Sequence, residues 1–263
     1  MSAEAIIKSQ ARKTLSKNWG PAIAALLIAL IPLYMIDGTT TVTSGLIVSL
    51  VRNEALANIL VYSIGIPVEL NAGFLLSPAI NGYVRAYYRC AQTQKMEIAD
   101  VFFYFEKGRY GAALRLNLSL FLRLLLPTLI LFLPYLIFLT LCVTVIDESF
   151  IGTVLYNDIS FLLAVLSTTA AALYALRYFT VYAVSIDEEY ASNKEIFARN
   201  RYVMRGHTGD AAKLLLSFTP WLLLCLTILP MLYVIPYMTQ AMCISAKWFK
   251  QAADSQLGIR INN

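Results

Sequence analysis

Charge is what this sequence has least of. Charged residues make up 14% of its 263 positions and hydrophobic ones 59%, against about 25% and 45–50% in soluble domains. So few polar side chains leave no means of covering a globule, so much of the apolar surface must face lipid. Histidine is nearly missing as well. His207 stands alone, which excludes a multi-histidine metal centre and leaves no serine or aspartate beside a histidine able to act as base. The four cysteines, Cys90, Cys142, Cys225 and Cys243, are scattered and mostly inside apolar runs. They have neither metal-ligand spacing nor the look of a secreted disulfide framework, and read as small buried hydrophobes. Also missing are a G-x-S-x-G elbow, an H-E-x-x-H pair, paired membrane aspartates and a glycine-rich phosphate loop. No catalytic residue, metal or cofactor is therefore expected, and the chain reads as a non-enzyme.

What is present in quantity is long apolar sequence. Six stretches are long enough to span a bilayer: about 20–36, 61–88, 116–145, 161–186, 211–229 and 231–249. Backbone groups in hydrocarbon must be satisfied within their own segment, so the spans are helices; the uninterrupted apolar runs do not fit the alternation of barrel strands. Pro230 and Pro236 are expected at the turn between the last two spans. Lys8, Arg12, Lys13 and Lys17 precede the first run, which lacks a small-x-small cleavage site and reads as a retained span. The predicted fold is an all-α polytopic transmembrane bundle of about six spans in one domain, 1–263, with a basic amphipathic helix at 1–19 and a tail at 250–263.

The basic residues orient it. Of 21 Lys and Arg residues, all but Arg52 fall before the first span, around the second-to-third connection (Arg85 to Arg123), from late span four into span five (Arg177 to Lys213), or after the last span's core (Lys247 to Arg260). Asp147 to Asp158 has none. With an even number of crossings all four groups lie inside, so both termini are expected in the cytoplasm of a plasma-membrane protein. The net charge of +5 then implies anionic lipid headgroups at the cytoplasmic face as partners, not nucleic acid. Gly45 to Leu60, with Arg52, Asn53 and Glu54 among aliphatics, is expected as an outer interfacial helix or lid.

The cytoplasmic segments carry helical apolar stripes: Ile7, Ala11 and Leu15; Ile98, Val101, Phe102 and Phe105, with Gly108 placed to end that helix; and, less cleanly, Ile196, Phe197, Val203 and Met204. Each predicts an amphipathic helix in the headgroup layer. Each also precedes a span through a glycine-containing joint, and Gly20, Gly111 and Gly209 align. A threefold parallel repeat of one interfacial helix plus a two-span hairpin follows.

Three ionisable residues inside the spans are candidate binding residues, because a charge at a helix centre costs roughly 2.5–3.5 kcal/mol on insertion scales. Arg123 lies about 9 Å and Arg177 about 8 Å to the cytoplasmic side of mid-span, by helix rise; Glu69 lies towards the outer leaflet. The arginines either snorkel to the headgroups or share a polar pocket with Asn117, Asn81 or Tyr178. Glu69 is offset from them by on the order of 15 Å, too far for a simple ion pair, and a structural hydrogen-bonding role is expected for it.

Four stretches resemble a known family: Ala11-Arg12-Lys13-Thr14-Leu15 with Trp19; Arg177-Tyr178-Phe179 through Ile186-Asp187; Val203-Met204-Arg205-Gly206-His207 followed by Leu216-Ser217-Phe218-Thr219-Pro220-Trp221; and Pro236-Tyr237. The chain is similar to the bacterial domain-of-unknown-function 975 family of multi-pass membrane proteins. It departs from the family at Ser167-Thr168-Thr169-Ala170, where members often carry Ile-Pro-Gly. The resemblance implies a membrane fold and no activity. Two functions remain open: a non-enzymatic envelope component or accessory to a membrane complex with a membrane-protein partner, and a small transporter or efflux/immunity factor using a polar cavity near Glu69, Arg123 and Arg177.

Overall fold

The computed structural model describes residues 2–51, 53–144, 153–225 and 228–261, and the regular elements among them are all helical. Helix α1 (Ala3–Ser16) leads into α2 (Trp19–Leu50), α3 (Glu54–Leu75) and α4 (Ser77–Thr93). A one-turn α5 (Ala99–Phe102), continued by a 3₁₀ turn at Phe103–Phe105, precedes α6 (Tyr110–Thr144). Helix α7 (Thr153–Ala175), a 3₁₀ turn at Leu176–Tyr178 and α8 (Val181–Asp187) follow. Last come α9 (Asn193–Val203), α10 (Thr208–Leu216), α11 (Thr219–Leu224) and α12 (Ile228–Ile261). Two helical segments among the described residues are long and apolar enough to cross a membrane, Tyr110–Cys142 and Tyr156–Asp187. None of the most apolar window of the first and 11% of that of the second is buried. Shorter apolar helical stretches are Thr40–Leu50 and Ala55–Gly65.

Helices break where side-chain chemistry forces a break, and several breaks differ from the sequence expectation. Gly45 to Leu60 is not one interfacial helix. Helix α2 continues to Leu50, Val51 is extended, and the Asn53 side chain accepts a 3.1 Å hydrogen bond from the Leu56 N–H. Asparagine is among the strongest N-caps, so a new helix starts there and packs back along α2. Arg52 lies outside the described residues, as does the 147–152 part of the expected outer loop; 153–158 belong to α7. The expected span 61–88 is two helices, because Pro78 in the first turn of α4 has no N–H with which to extend α3. The stretch 161–186 lies within the single candidate span Tyr156–Asp187, with a 3₁₀ turn at Leu176–Tyr178 inside it, whereas 211–229 breaks at Ser217 and Phe218, just ahead of Pro220. Pro230 and Pro236 lie within α12 and not at a turn; Pro230 occupies the first turn, where a missing N–H costs no intrahelical bond.

The tightly packed part of the molecule is a collar built around α4. Its adjacent Tyr87 and Tyr88 are both essentially fully buried, so partners surround it. The Tyr87 hydroxyl donates to the Ala22 carbonyl at 2.8 Å, tying α2. Asn81 accepts from Asn117 at 2.8 Å, and Asn117 accepts from Tyr182 at 2.7 Å, tying α6 and α8. Tyr88 (2.8 Å) and Gln92 (2.9 Å) donate to Asp187, which also pairs with Lys250 of α12. Arg85 and Arg89 share the Asp100 carboxylate, each at 3.3 Å, with the Arg85 guanidinium lying 3.3 Å above the Phe103 ring. Asn18 secures the 95° bend between α1 and α2 by donating to the carbonyls of Thr14 and Gln94 and accepting from the Met96 N–H.

The expected headgroup-layer helices are therefore partly repurposed. Ile7, Ala11 and Leu15 are buried, and α1 packs on α12; the stripe faces protein because α12 offers it an apolar surface. Ile196, Phe197, Val203 and Met204 are buried likewise. Helix α9 opens with a capping box in which Ser192 and Glu195 bond each other's backbone groups, and those bonds hold the Glu195 carboxyl below its usual pKa. The third stripe splits: Val101 is buried, while Ile98, Phe102 and Phe105 point outward. The joints after the second and third stripes share a geometry that the first, at Lys17 with φ −99°, does not. Gly108 and Gly206 have φ of 91° and 90°, the left-handed region that glycine enters at least cost. The aligned Gly20 and Gly209 face open space, so the conformational demand falls three residues before the aligned glycines.

Two substitutions and one control test the collar. A Cβ at Gly82 would lie 1.9 Å from the Val101 carbonyl oxygen, and backbone does not move aside as a side chain does. Gly82→Ala should lower stability by about 1–3 kcal/mol or more, whereas Gly209→Ala should be neutral, as read by thermal unfolding of purified protein. Asp100→Ala strands Arg85, whose side chain is 7% exposed, and should cost about 3–5 kcal/mol; a melting temperature equal to wild type would refute that role.

Candidate functional site

Two groups of arginines stand out among the described residues, with Arg12 and Arg115 in neither. Arg85, Arg89, Arg109 and Arg199 each meet a carboxylate: Asp100 for the first two, Glu106 and Glu189 for Arg109, Glu188 and Asp254 for Arg199. Arg123, Arg177, Arg201 and Arg205 meet none and line a single cavity of about 720 Å³. The sequence expectation placed Arg123 and Arg177 at similar depth, and the structure brings both into this cavity with Tyr178. Asn81 and Asn117 bond each other and are not among its lining residues. Glu69 belongs to α3, and its side chain lies outside the described residues.

The cavity sits where the α6–α7 hairpin meets α9. Asn200 fixes the junction from its buried position. Its amide donates to the Arg177 carbonyl at 2.9 Å, and its oxygen accepts from the Thr180 hydroxyl at 2.8 Å. The same 3₁₀ turn that ends α7 therefore carries Arg177 to the cavity's edge, just past the straight part of the helix. Asn193 donates to Ser119 at 3.0 Å and ties α9 to α6. Buried Phe197 then presents its ring 4.2 Å from the Arg123 guanidinium and 5.9 Å, edge to face, from Tyr178. Arg177 lies 5.2 Å from the Tyr174 ring.

A guanidinium lying over a ring gains cation–π energy while its N–H edge stays free. Such an edge matches the oxygens of a phosphate or carboxylate in bidentate fashion. All four arginine side chains are exposed, so the arrangement is an open basic basin with an aromatic floor. It has the donors to bind an anion. Arg201 and Arg205 were legible only as topological charges in the sequence; their four-residue spacing, beside Phe197, was the available signal.

Asp187 was also missed, although it closes one of the family-like stretches. Its carboxylate gathers Tyr88, Gln92 and Lys250 from α4 and α12, a bracing role that apolar periodicity does not reveal.

A search of curated proteins found no match, and neither did a search of solved structures. The family comparison does find one. The model of a protein family of unknown function, DUF975, matches residues 1–251, which takes in the whole collar, the α6–α7 hairpin and every arginine of the basin, and the chain belongs to that family.

Proposed function

We propose that the protein is a non-enzymatic, multi-pass component of the cell membrane that works at the cytoplasmic headgroup level through its basic collar. One observation carries this reading: segments from the four basic groups of the sequence meet at one end of the molecule. Thr14 of α1 bonds Gln94 after α4 at 2.9 Å, and Lys8 of α1 bonds the Ser217 carbonyl after α10 at 2.6 Å. Lys247 of α12 reaches the Ala91 carbonyl of α4 at 3.1 Å, and Arg199 of α9 pairs with Asp254 of α12. Convergence of positive segments at one end is what the positive-inside rule requires of a cytoplasmic face.

The same reading has about six crossings, both termini inside, and three units of one interfacial helix followed by a hairpin. The left-handed Gly108 and Gly206 support the repeat, because they mark equivalent joints to the second and third hairpins. Lys17, the equivalent position in the first unit, caps α1 at the 95° bend. Anionic lipids and a membrane-protein partner are the binding classes this collar suits.

Topology is tested with single cysteines in a background lacking the four native ones. Gly152→Cys should react with an impermeant maleimide in intact cells; Tyr190→Cys, at a 97% exposed position, should react only after permeabilisation. Equal labelling of both would sink the six-crossing arrangement.

A second test concerns Phe102 and Phe105, 51% and 46% exposed and facing outward beside α5. Changing both to Ser should lower the melting temperature more in anionic lipid nanodiscs than in uncharged detergent, because bilayer contact is what the rings supply. An unchanged melt in both media would show that they do not contact lipid.

A further inference from the structure

We infer that the arginine basin is a binding site for the phosphate headgroup of an anionic phospholipid, with a two-phosphate headgroup preferred over one. This deepens the membrane reading above and rests on it. Four guanidinium groups converge on one cavity with no carboxylate among the described residues to neutralise them, although Arg85, Arg89, Arg109 and Arg199 each meet one. A single phosphodiester leaves most of that charge uncompensated; two phosphates compensate about half of it, and each presents a face for bidentate arginine contacts.

The neighbouring surface identifies a lipid over a soluble anion. On α6, Leu126, Ile130, Leu133 and Ile137 follow Arg123 at helical spacing, and all are exposed. On α7, Leu173, Leu166 and Leu162 precede Arg177 in the same way, also exposed. Each of these two arginines thus stands at the foot of an apolar stripe running along a long apolar helix. A diacyl lipid satisfies both halves at once, its phosphate among the guanidinium groups and its chains along the stripes. A free phosphate uses only the first half.

The Arg123 guanidinium lies over buried Phe197, and Arg201 stands one helical turn beyond that ring in α9. Those two residues therefore belong to the headgroup's inner contacts. Tyr174, Tyr178 and Tyr202 line the same basin, and their amphipathic rings suit the headgroup boundary.

The test uses full-length protein purified in a neutral detergent, with binding followed by native mass spectrometry and by thermal shift. The probes are diphosphatidylglycerol, phosphatidylglycerol, phosphatidylethanolamine and inorganic pyrophosphate. Diphosphatidylglycerol should bind tightest and raise the melting temperature most, phosphatidylglycerol less, and the zwitterionic lipid and pyrophosphate least.

Arg123→Gln with Arg201→Gln should weaken diphosphatidylglycerol binding by about tenfold or more, the scale of losing charge-assisted hydrogen bonds. Lys107→Gln with Arg115→Gln removes the same charge outside the basin and should leave binding within about twofold. Should the double glutamine variant fold poorly, Arg201→Lys alone serves: it keeps the charge but loses the planar fork, and should still weaken binding. Equal retention of zwitterionic lipid would overturn the assignment, as would pyrophosphate matching the lipid or an equal loss in the two double variants. Because binding is read in detergent, failure here is separable from failure of the topology, which is read in cells.

Discussion

Hydrocarbon gives apolar helices no reason to associate, since leucine against lipid is as well solvated as leucine against leucine. Hairpins of this composition must be held together by something more than burial. Here polar side chains on and around α4 add tethers to a buried apolar cluster shared by α1, α2, α4 and α12. Tyr87 reaches α2, Asn81 reaches α6 through Asn117 and Tyr182, and Tyr88 reaches α8 and α12 through Asp187. Each of these bonds is at least partly buried, and buried partners lose far more when one is removed than a surface pair does. Removing α4's side-chain tethers would leave the neighbouring helices with fewer contacts to fix their register.

This constraint explains the uneven packing. The α6–α7 hairpin has almost no buried surface in its most apolar windows, yet its foot is fixed by the bonds of Asn117 in α6 to Asn81 and Tyr182 and by Thr180 and Asn200 below α7. A segment anchored at one end and apolar along its length presents exposed apolar stripes without protein neighbours. The close approach at Gly82, where α4 meets the Val101 carbonyl, belongs to the same economy: backbone proximity lets α5 support α4 without an intervening side chain.

Much of this was legible in the sequence. Helicity, the apolar stretches of α6 and α7, and the common location of Arg123 and Arg177 all follow from hydropathy and helix rise. What escaped has a shared cause. Periodicity reports that a helix has an apolar stripe but not what the stripe meets, so Ile7, Ala11 and Leu15 read as membrane-facing when α12 was waiting for them. A single Asn53 or Pro78 re-routes the chain at a point where average hydropathy barely changes. The collar's polar partners are far apart in sequence, Tyr88 and Asp187 among them, and no local pattern links them.

The distribution of acids completes the picture. Asp100 and Asp187 sit at the middle of the collar and Glu188, Glu189 and Asp254 on its flank, where they neutralise Arg85, Arg89, Arg109, Arg199 and Lys250. Among the described residues, Arg123, Arg177, Arg201 and Arg205 pair with no carboxylate. Four like charges around one cavity repel one another, and in water that repulsion is merely screened. Beside a low-dielectric bilayer the screening is weaker and the repulsion larger, which would count against the fold unless the surroundings return negative charge. An anionic leaflet does so, and it does so most strongly at the headgroup plane. The basin lies at the foot of the exposed apolar stripes of α6 and α7, so the proposed headgroup placement is the one that would return negative charge to it.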